Sequence, residues 1–146
     1  DLKIISCLGK DGRMSFSEIA NKVRLSPVAV KNRVAKMMDD HIIDVRGVLR
    51  IDRFYNLMAD IRIEADEETI AKMIEDFDGR QEVCRLLKVS GGFNLVIGLL
   101  ATRIEGVNRF VAQELRGYPG VQRIDVLIGE TPITPQFMIP KISVDK

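Results

Sequence analysis

Few residues in this chain could do covalent chemistry. It has one histidine, His41, and two cysteines, Cys7 and Cys84, which lie far apart with no CxxC spacing. No Ser-His-Asp set can be assembled in more than one way, and HExxH and Walker-type loops are absent. Gly91-Gly92 is not followed by a helix carrying a lysine, so it reads as a turn and not as a phosphate cradle. Asp66, Glu67 and Glu68 read as a helix start, where carboxylates complement the positive end of the macrodipole. An enzyme, a metal or a resident cofactor is therefore not expected. A different chemistry is offered by Ser26, Val28, Ala29, Lys31, Asn32, Arg33 and Lys36. Small residues let a helix sit deep in the major groove of DNA. Asn can bond adenine N6 and N7, and Lys or Arg can reach guanine or phosphate.

Those side chains need a helix that keeps them off the core. Val30, Val34 and Met37 recur at i, i+4 and i+7 and form its inward side. At about 100° per residue, Val28, Ala29, Asn32 and Lys36 point the other way, with Lys31 and Arg33 on the flanks. Ser26 is a good N-cap, and Pro27 suits the first helical position. Before it, Ser15-Phe16-Ser17-Glu18 spells a capping box for a helix continued by Ile19, Ala20 and Val23. Leu2, Ile4, Ile5 and Leu8 give a short opening helix ending near Gly9, with a turn at Asp11-Gly12. Ser15 to Asp40 is thus expected to be a helix-turn-helix. The alternative is a solvent-facing helix in a three-helix bundle, against which stands the exposed Val28-Ala29 pair. Ile42 and Ile43 are expected to pin the helix end to the core, and His41 to be a helix-terminus residue. Val45 to Ile51 resembles a small hairpin or wing turning at Gly47. Arg46 and Arg50 flank that turn as phosphate contacts or as ordinary edge-strand charges.

Charge supports the placement. The formal net charge is only +1, but residues 12–37 hold six basic residues against one acidic, Glu18. A near-neutral chain with one basic segment suits contact with phosphate through a single face. With 46% hydrophobic residues the chain can bury a core, and no run approaches the ~18 apolar residues of a membrane span. The opening DLKIISCLGKDG is too short and polar for a secretory signal. The chain starts on Asp1, so a few residues are expected to precede it. Cytoplasmic placement with two buried, reduced thiols is expected, a disulfide being the alternative.

From Asn56 the pattern changes. Leu57–Glu64, Val83–Val89, Asn94–Ala101 and Val121–Ile128 read as strands. Glu67–Phe77, capped by Asp66, and Ile104–Leu115 read as helices. The order is βαββαβ, the split ferredoxin-like arrangement, with both helices on one sheet face. The other face needs a cover, and a second copy of the chain is the economical one. The tail from Glu130, with Pro132, Pro135 and Pro140, is expected to wrap as an edge strand or arm on its own domain or a neighbour's. The expected class is α+β: residues 1–45 a helix-turn-helix (winged-helix-like) domain, 46–56 a hairpin or linker, and 57–146 a ferredoxin-like sensing and oligomerisation domain.

Residues in both halves carry a family resemblance. They are Asp1-Leu2-Lys3-Ile4-Ile5, Asp11-Gly12-Arg13, Glu18-Ile19-Ala20, Leu25-Ser26-Pro27, Val30, Arg33-Val34 and Ile42-Ile43 in the first half. Val89-Ser90-Gly91 through Asn94-Leu95 and Pro119-Gly120-Val121 follow in the second. Together they resemble the Lrp/AsnC, or feast/famine, transcriptional regulators. The resemblance implies a sequence-specific DNA-binding regulator whose second domain dimerises, assembles into octamers and binds a free amino acid at a dimer–dimer contact. Ser90, Gly91, Gly92, Phe93 and Asn94 would hold that effector, and Ser26, Val28, Ala29, Lys31, Asn32, Arg33, Lys36 and Arg46 the DNA. Two departures stand out. Asn94 occupies the Asp position of the family's Gly-x-x-Asp loop, where an amide would hold an ammonium more weakly, and the tail is proline-rich. The rival reading is a small-molecule sensor or assembly module whose helix-turn-helix contacts protein.

Overall fold

In the computed structural model, which describes residues 1–142, the chain divides into two units, Asp1–Gly47 and Val48–Lys146. The first unit holds α1 (Leu2–Lys10), α2 (Phe16–Val23) and α3 (Pro27–Asp39). Its core is Ile4, Ile19, Ala20, Val30, Val34 and Met37, with Leu8, Leu25 and Ile43 packed at the edge. Burying each of the larger aliphatic side chains contributes about 1.5–3 kcal/mol.

Each helix boundary has a local cause. The capping box at α2 is complete: the Glu18 N–H donates to Ser15 Oγ at 3.2 Å, and the Ser15 N–H donates to Glu18 Oε2 at 2.8 Å. The Ser15 hydroxyl, donating to Glu18 Oε2 at 2.6 Å, and after it the Ser15 N–H hold the Glu18 carboxyl below the usual carboxylate range. Arg24, at φ 57°, ends α2 in the left-handed conformation, and the Leu25 N–H closes back on the Ala20 carbonyl. At α3 the Ala29 N–H donates to Ser26 Oγ at 3.1 Å. The far end of α3 is a Schellman turn. The His41 N–H bonds the Met38 carbonyl, the Ile42 N–H bonds the Met37 carbonyl, and His41 takes φ 55° where glycine is usual. Ile43 packs on the core, but Ile42 points out and is 61% exposed. The Ile42 backbone, not its side chain, therefore ties down the helix end.

The second unit contains β1 (Leu49–Arg50), β2 (Leu57–Ala65), α4 (Glu67–Phe77), β3 (Val83–Lys88), β4 (Leu95–Ala101), α5 (Ile104–Arg109), β5 (Val121–Glu130) and β6 (Phe137–Met138). A single π turn over Phe110–Leu115 continues α5, with the Arg116 N–H reaching the Val111 carbonyl. The main sheet is antiparallel in the order β3-β4-β2-β5, the βαββαβ topology. One face carries Ala59, Ile61, Ile63, Leu95, Ile97 and Leu99, packed under Ile70, Met73, Phe77, Val107, Phe110 and Leu115 of the helices. Ile104, at the start of α5, is 49% exposed and lies outside that stripe.

No hairpin forms at Gly47. Residues 44–48 are irregular, and Leu49–Arg50 instead pairs antiparallel with Phe137–Met138 from the proline-rich tail. The tail's last four residues, 143–146, lie outside the described residues. Met138 and Ile51 cover Leu100 on the helix-free face of the sheet, so part of that face is closed by the chain's own arm. The arm and the sheet enclose a cleft of about 660 Å³ lined by Met58, Cys84, Leu127, Pro135, Phe137 and Ile139, among others. No helix among the described residues is long and apolar enough to cross a membrane, and none of their His, Cys, Asp and Glu side chains cluster as a metal site.

Candidate functional site

The outward face of α3 is set by its two anchored ends. With Val30, Val34 and Met37 buried, Val28 is 67% exposed, Ala29 is half-buried, and Lys31, Asn32, Arg33 and Lys36 are all exposed. Their commitments differ. The Ser26 hydroxyl is occupied by the Ala29 N–H. Arg33 Nη1 lies 3.4 Å from Asp1 Oδ1, Lys36 Nζ 3.3 Å from Asp40 Oδ2, and Arg46 Nε 2.5 Å from Asp44 Oδ2. All three are exposed pairs, worth about 0–1 kcal/mol each. Lys31 and Asn32 make no side-chain hydrogen bond or ion pair among the described residues. The turn adds Lys22 and Arg24, also exposed, which sequence reasoning did not single out. Their position beside the α2 end was visible; the left-handed Arg24 backbone was not.

The loop between β3 and β4 is built around Asn94. Its main-chain N–H bonds the Ile63 carbonyl at 2.9 Å, and its carbonyl accepts from the Val89 N–H at 3.1 Å. Its side chain brackets one residue: Oδ1 accepts from the Ala65 N–H at 3.0 Å, and Nδ2 donates to the Ala65 carbonyl at 2.5 Å. Ser90, Gly91 and Gly92 are exposed, and Gly91 has φ 129°, a conformation that L side chains rarely adopt. The Arg123 guanidinium lies 4.3 Å from the Phe93 ring centroid, donates to the Gly92 carbonyl at 2.8 Å, and pairs with Glu64 at 3.2 Å. The structure thus brings residues 90–94 together with Ala65 and Arg123. Arg123 was not anticipated, because its place depends on the β2–β5 register. The 660 Å³ cleft is not lined by this loop.

Two family models cover most of the chain. The AsnC-type helix-turn-helix domain matches residues 1–38, and the Lrp/AsnC ligand binding domain matches residues 57–129. The chain belongs to the Lrp/AsnC family. Among curated relatives of this Lrp/AsnC protein, an HTH-type transcriptional regulator of Pyrococcus furiosus is 31% identical over 120 residues, covering 79% of this chain and 77% of its own. The regulatory protein AsnC of Haemophilus influenzae is 27% identical over 140 residues, 91% of each. The solved structure of AsnC from E. coli superposes with a TM-score of 0.79 at 19% identity over 87% of each chain. A transcriptional regulator from Neisseria meningitidis, solved as an L-Met complex, gives 0.80 at 22% identity over 95% of this chain and 93% of its own. The α+β fold is that of these structures. The Lrp/AsnC chain is a transcriptional regulator with a helix-turn-helix unit and a ligand-binding unit.

Proposed function

We propose that this Lrp/AsnC regulator reads double-stranded DNA through α3. Asn32 and Lys31 would face base edges, Val28 and Ala29 would allow close approach, and Arg33, Lys36 and Arg46 would exchange carboxylate for phosphate. Ser26 would act as the cap that aims the helix. The observation that carries the reading is the pair Lys31 and Asn32, exposed and uncommitted on a helix anchored at both ends.

The reading extends to assembly and control. A second copy would cover the helix-free sheet face, where Leu87, Leu127, Phe137 and Ile139 are each about half exposed or more. Two-fold pairing would set two reading helices about one DNA turn (~34 Å) apart, and further assembly to an octamer follows the family pattern. A free amino acid would bind as effector in the loop formed by Ser90, Gly91, Gly92, Phe93 and Asn94; the L-Met complex of the Neisseria relative supports an amino-acid effector. The protein would act in the cytoplasm without a cofactor.

The test is selection of genomic fragments at moderate salt, with and without a pool of amino acids. Retained fragments should share a motif, and Asn32→Ala should relax it by about 1–3 kcal/mol of discrimination. No retained fragment would overturn the DNA reading and favour a protein contact through Val28 and Ile42.

A further inference from the structure

We propose that Asn94 is a positioning residue of the effector loop and not one of its ligand contacts. The inference rests on the effector reading of residues 90–94. β4 joins the β2 ladder only at Leu95, which is paired with Ile63. Asn94 still bonds Ile63 through its main chain, but the next two bonds, to the N–H and carbonyl of Ala65, are made by its side chain. One carboxamide therefore stands in for the peptide group that a longer β4 would have supplied. That substitution frees residues 90–93 to turn away at Gly91, while the Val89 N–H bond to the Asn94 carbonyl closes the turn. The bracket also reaches past the sheet. Ala65 precedes Asp66, whose carboxylate caps α4 by accepting from the Thr69 N–H. The loop is thereby tied to the residue that leads into the α4 cap.

The bracket needs one donor and one acceptor on the same planar group. Asn supplies both, and only one orientation of its amide satisfies Ala65. A carboxylate supplies only acceptors, so in Asn94→Asp one oxygen would face the Ala65 carbonyl oxygen at the place where Nδ2 now donates. A protonated carboxylic acid, by contrast, has the same donor and acceptor pattern as the amide. The Asp form should therefore release the bracket when ionised and restore it when protonated. Facing a carbonyl oxygen disfavours the ionised form, so recovery runs with falling pH. The charged groups on the segments that meet here are Glu64, Asp66, Lys88 and Arg123, the first and last paired with each other. The wild type carries all of them and serves as the reference at each pH.

The experiment uses the full chain as wild type, N94D and N94A at about pH 5 and pH 8. It reads the hydrogen exchange of the Ala65 amide relative to wild type and the affinity for L-methionine and the other free amino acids by calorimetry. In N94D, Ala65 should exchange on the order of tenfold faster than wild type at pH 8 and return towards wild type at pH 5. N94A should be fast at both, and ligand affinity should follow Ala65 in each variant. Unchanged exchange at the Ile61 amide, deeper in the ladder, separates local release from unfolding. Should N94D not fold at pH 8, N94A, whose methyl can bond neither Ala65 group, must still show the faster exchange. Wild-type Ala65 protection in these variants at pH 8 would overturn the proposal. So would lost affinity with Ala65 protection intact, which would make Asn94 a ligand contact. If the wild type binds no amino acid, the effector reading falls, and Ala65 exchange alone decides the bracket.

Discussion

Removing the Lys36 ammonium tests the DNA reading quantitatively, because the structure fixes what that group gives up. Lys36 Nζ lies 3.3 Å from Asp40 Oδ2 one helical turn on, with the two side chains 79% and 48% exposed. An exposed i,i+4 pair contributes about 0.3–0.5 kcal/mol and is screened by salt. Trading Asp40 for a phosphate therefore costs each reading helix no more than about a factor of two in affinity. If Lys36 neutralises one phosphate, Lys36→Ala should lower the salt slope of log K by about 0.9 per reading helix. Between about 50 and 200 mM salt the wild type would then lose about 3.5-fold more affinity per helix than the variant. Asp40→Asn should do the opposite at low salt: it frees the ammonium and tightens binding by about twofold per helix, while folding stability drops by about 0.3–0.5 kcal/mol. Fluorescence anisotropy on a selected fragment across a salt series reads both. An unchanged slope in Lys36→Ala, with the fold intact by circular dichroism, would refute the phosphate assignment. Weaker binding in Asp40→Asn would refute the idea that Asp40 competes with DNA.

Other consequences are open to direct measurement. Met138→Ala should destabilise the protein by about 2–5 kcal/mol in urea titrations, because the side chain is 9% exposed against Ile51 and Leu100. Gly120→Ala should lower thermal stability by at least about 1–3 kcal/mol, since a Cβ there would lie 1.9 Å from Asp66 Oδ2 and 2.0 Å from Thr69 Oγ1. The capping-box contribution of Glu18 is present above its ordinary value of 4.5 and is lost as pH falls through its depressed folded value. In Glu18→Gln that acid-limb loss should be absent from melts taken below pH 4.5. Burial pushes the Cys84 thiol up, so iodoacetamide should label it more slowly than a free thiol at the same pH.

The helix-turn-helix was legible because its signals are local. A capping box, a Ser-Pro start and an i, i+4, i+7 stripe each act within a few residues, and the structure places all of them as read. The βαββαβ order was legible from alternation and turn residues in the same way. The wing was misread because the partner of Leu49–Arg50 lies in the tail, beyond the reach of local pattern, and Gly47 adopts no left-handed turn. Ile42 looked like a core residue by type, yet the Schellman turn spends its backbone and leaves its side chain outside. At the candidate site, periodicity revealed the face of α3 but not the carboxylates at Asp1 and Asp40 that its cations meet. Asn94 was visible as a departure from a motif; its bracket on Ala65 depends on where β4 joins the ladder.

The two-residue ladder between Leu49–Arg50 and Phe137–Met138 has a consequence for how the protein is made. It joins positions nearly ninety residues apart, so its closure entropy falls due only once the intervening sheet has shortened the path. The arm should dock last, after β2, β4 and β5 have paired. On the ribosome, Leu100 lacks the Met138 part of its cover until the tail emerges, and during that interval the helix-free face is at its stickiest. A chain that ends before Met138 would be caught permanently in that state.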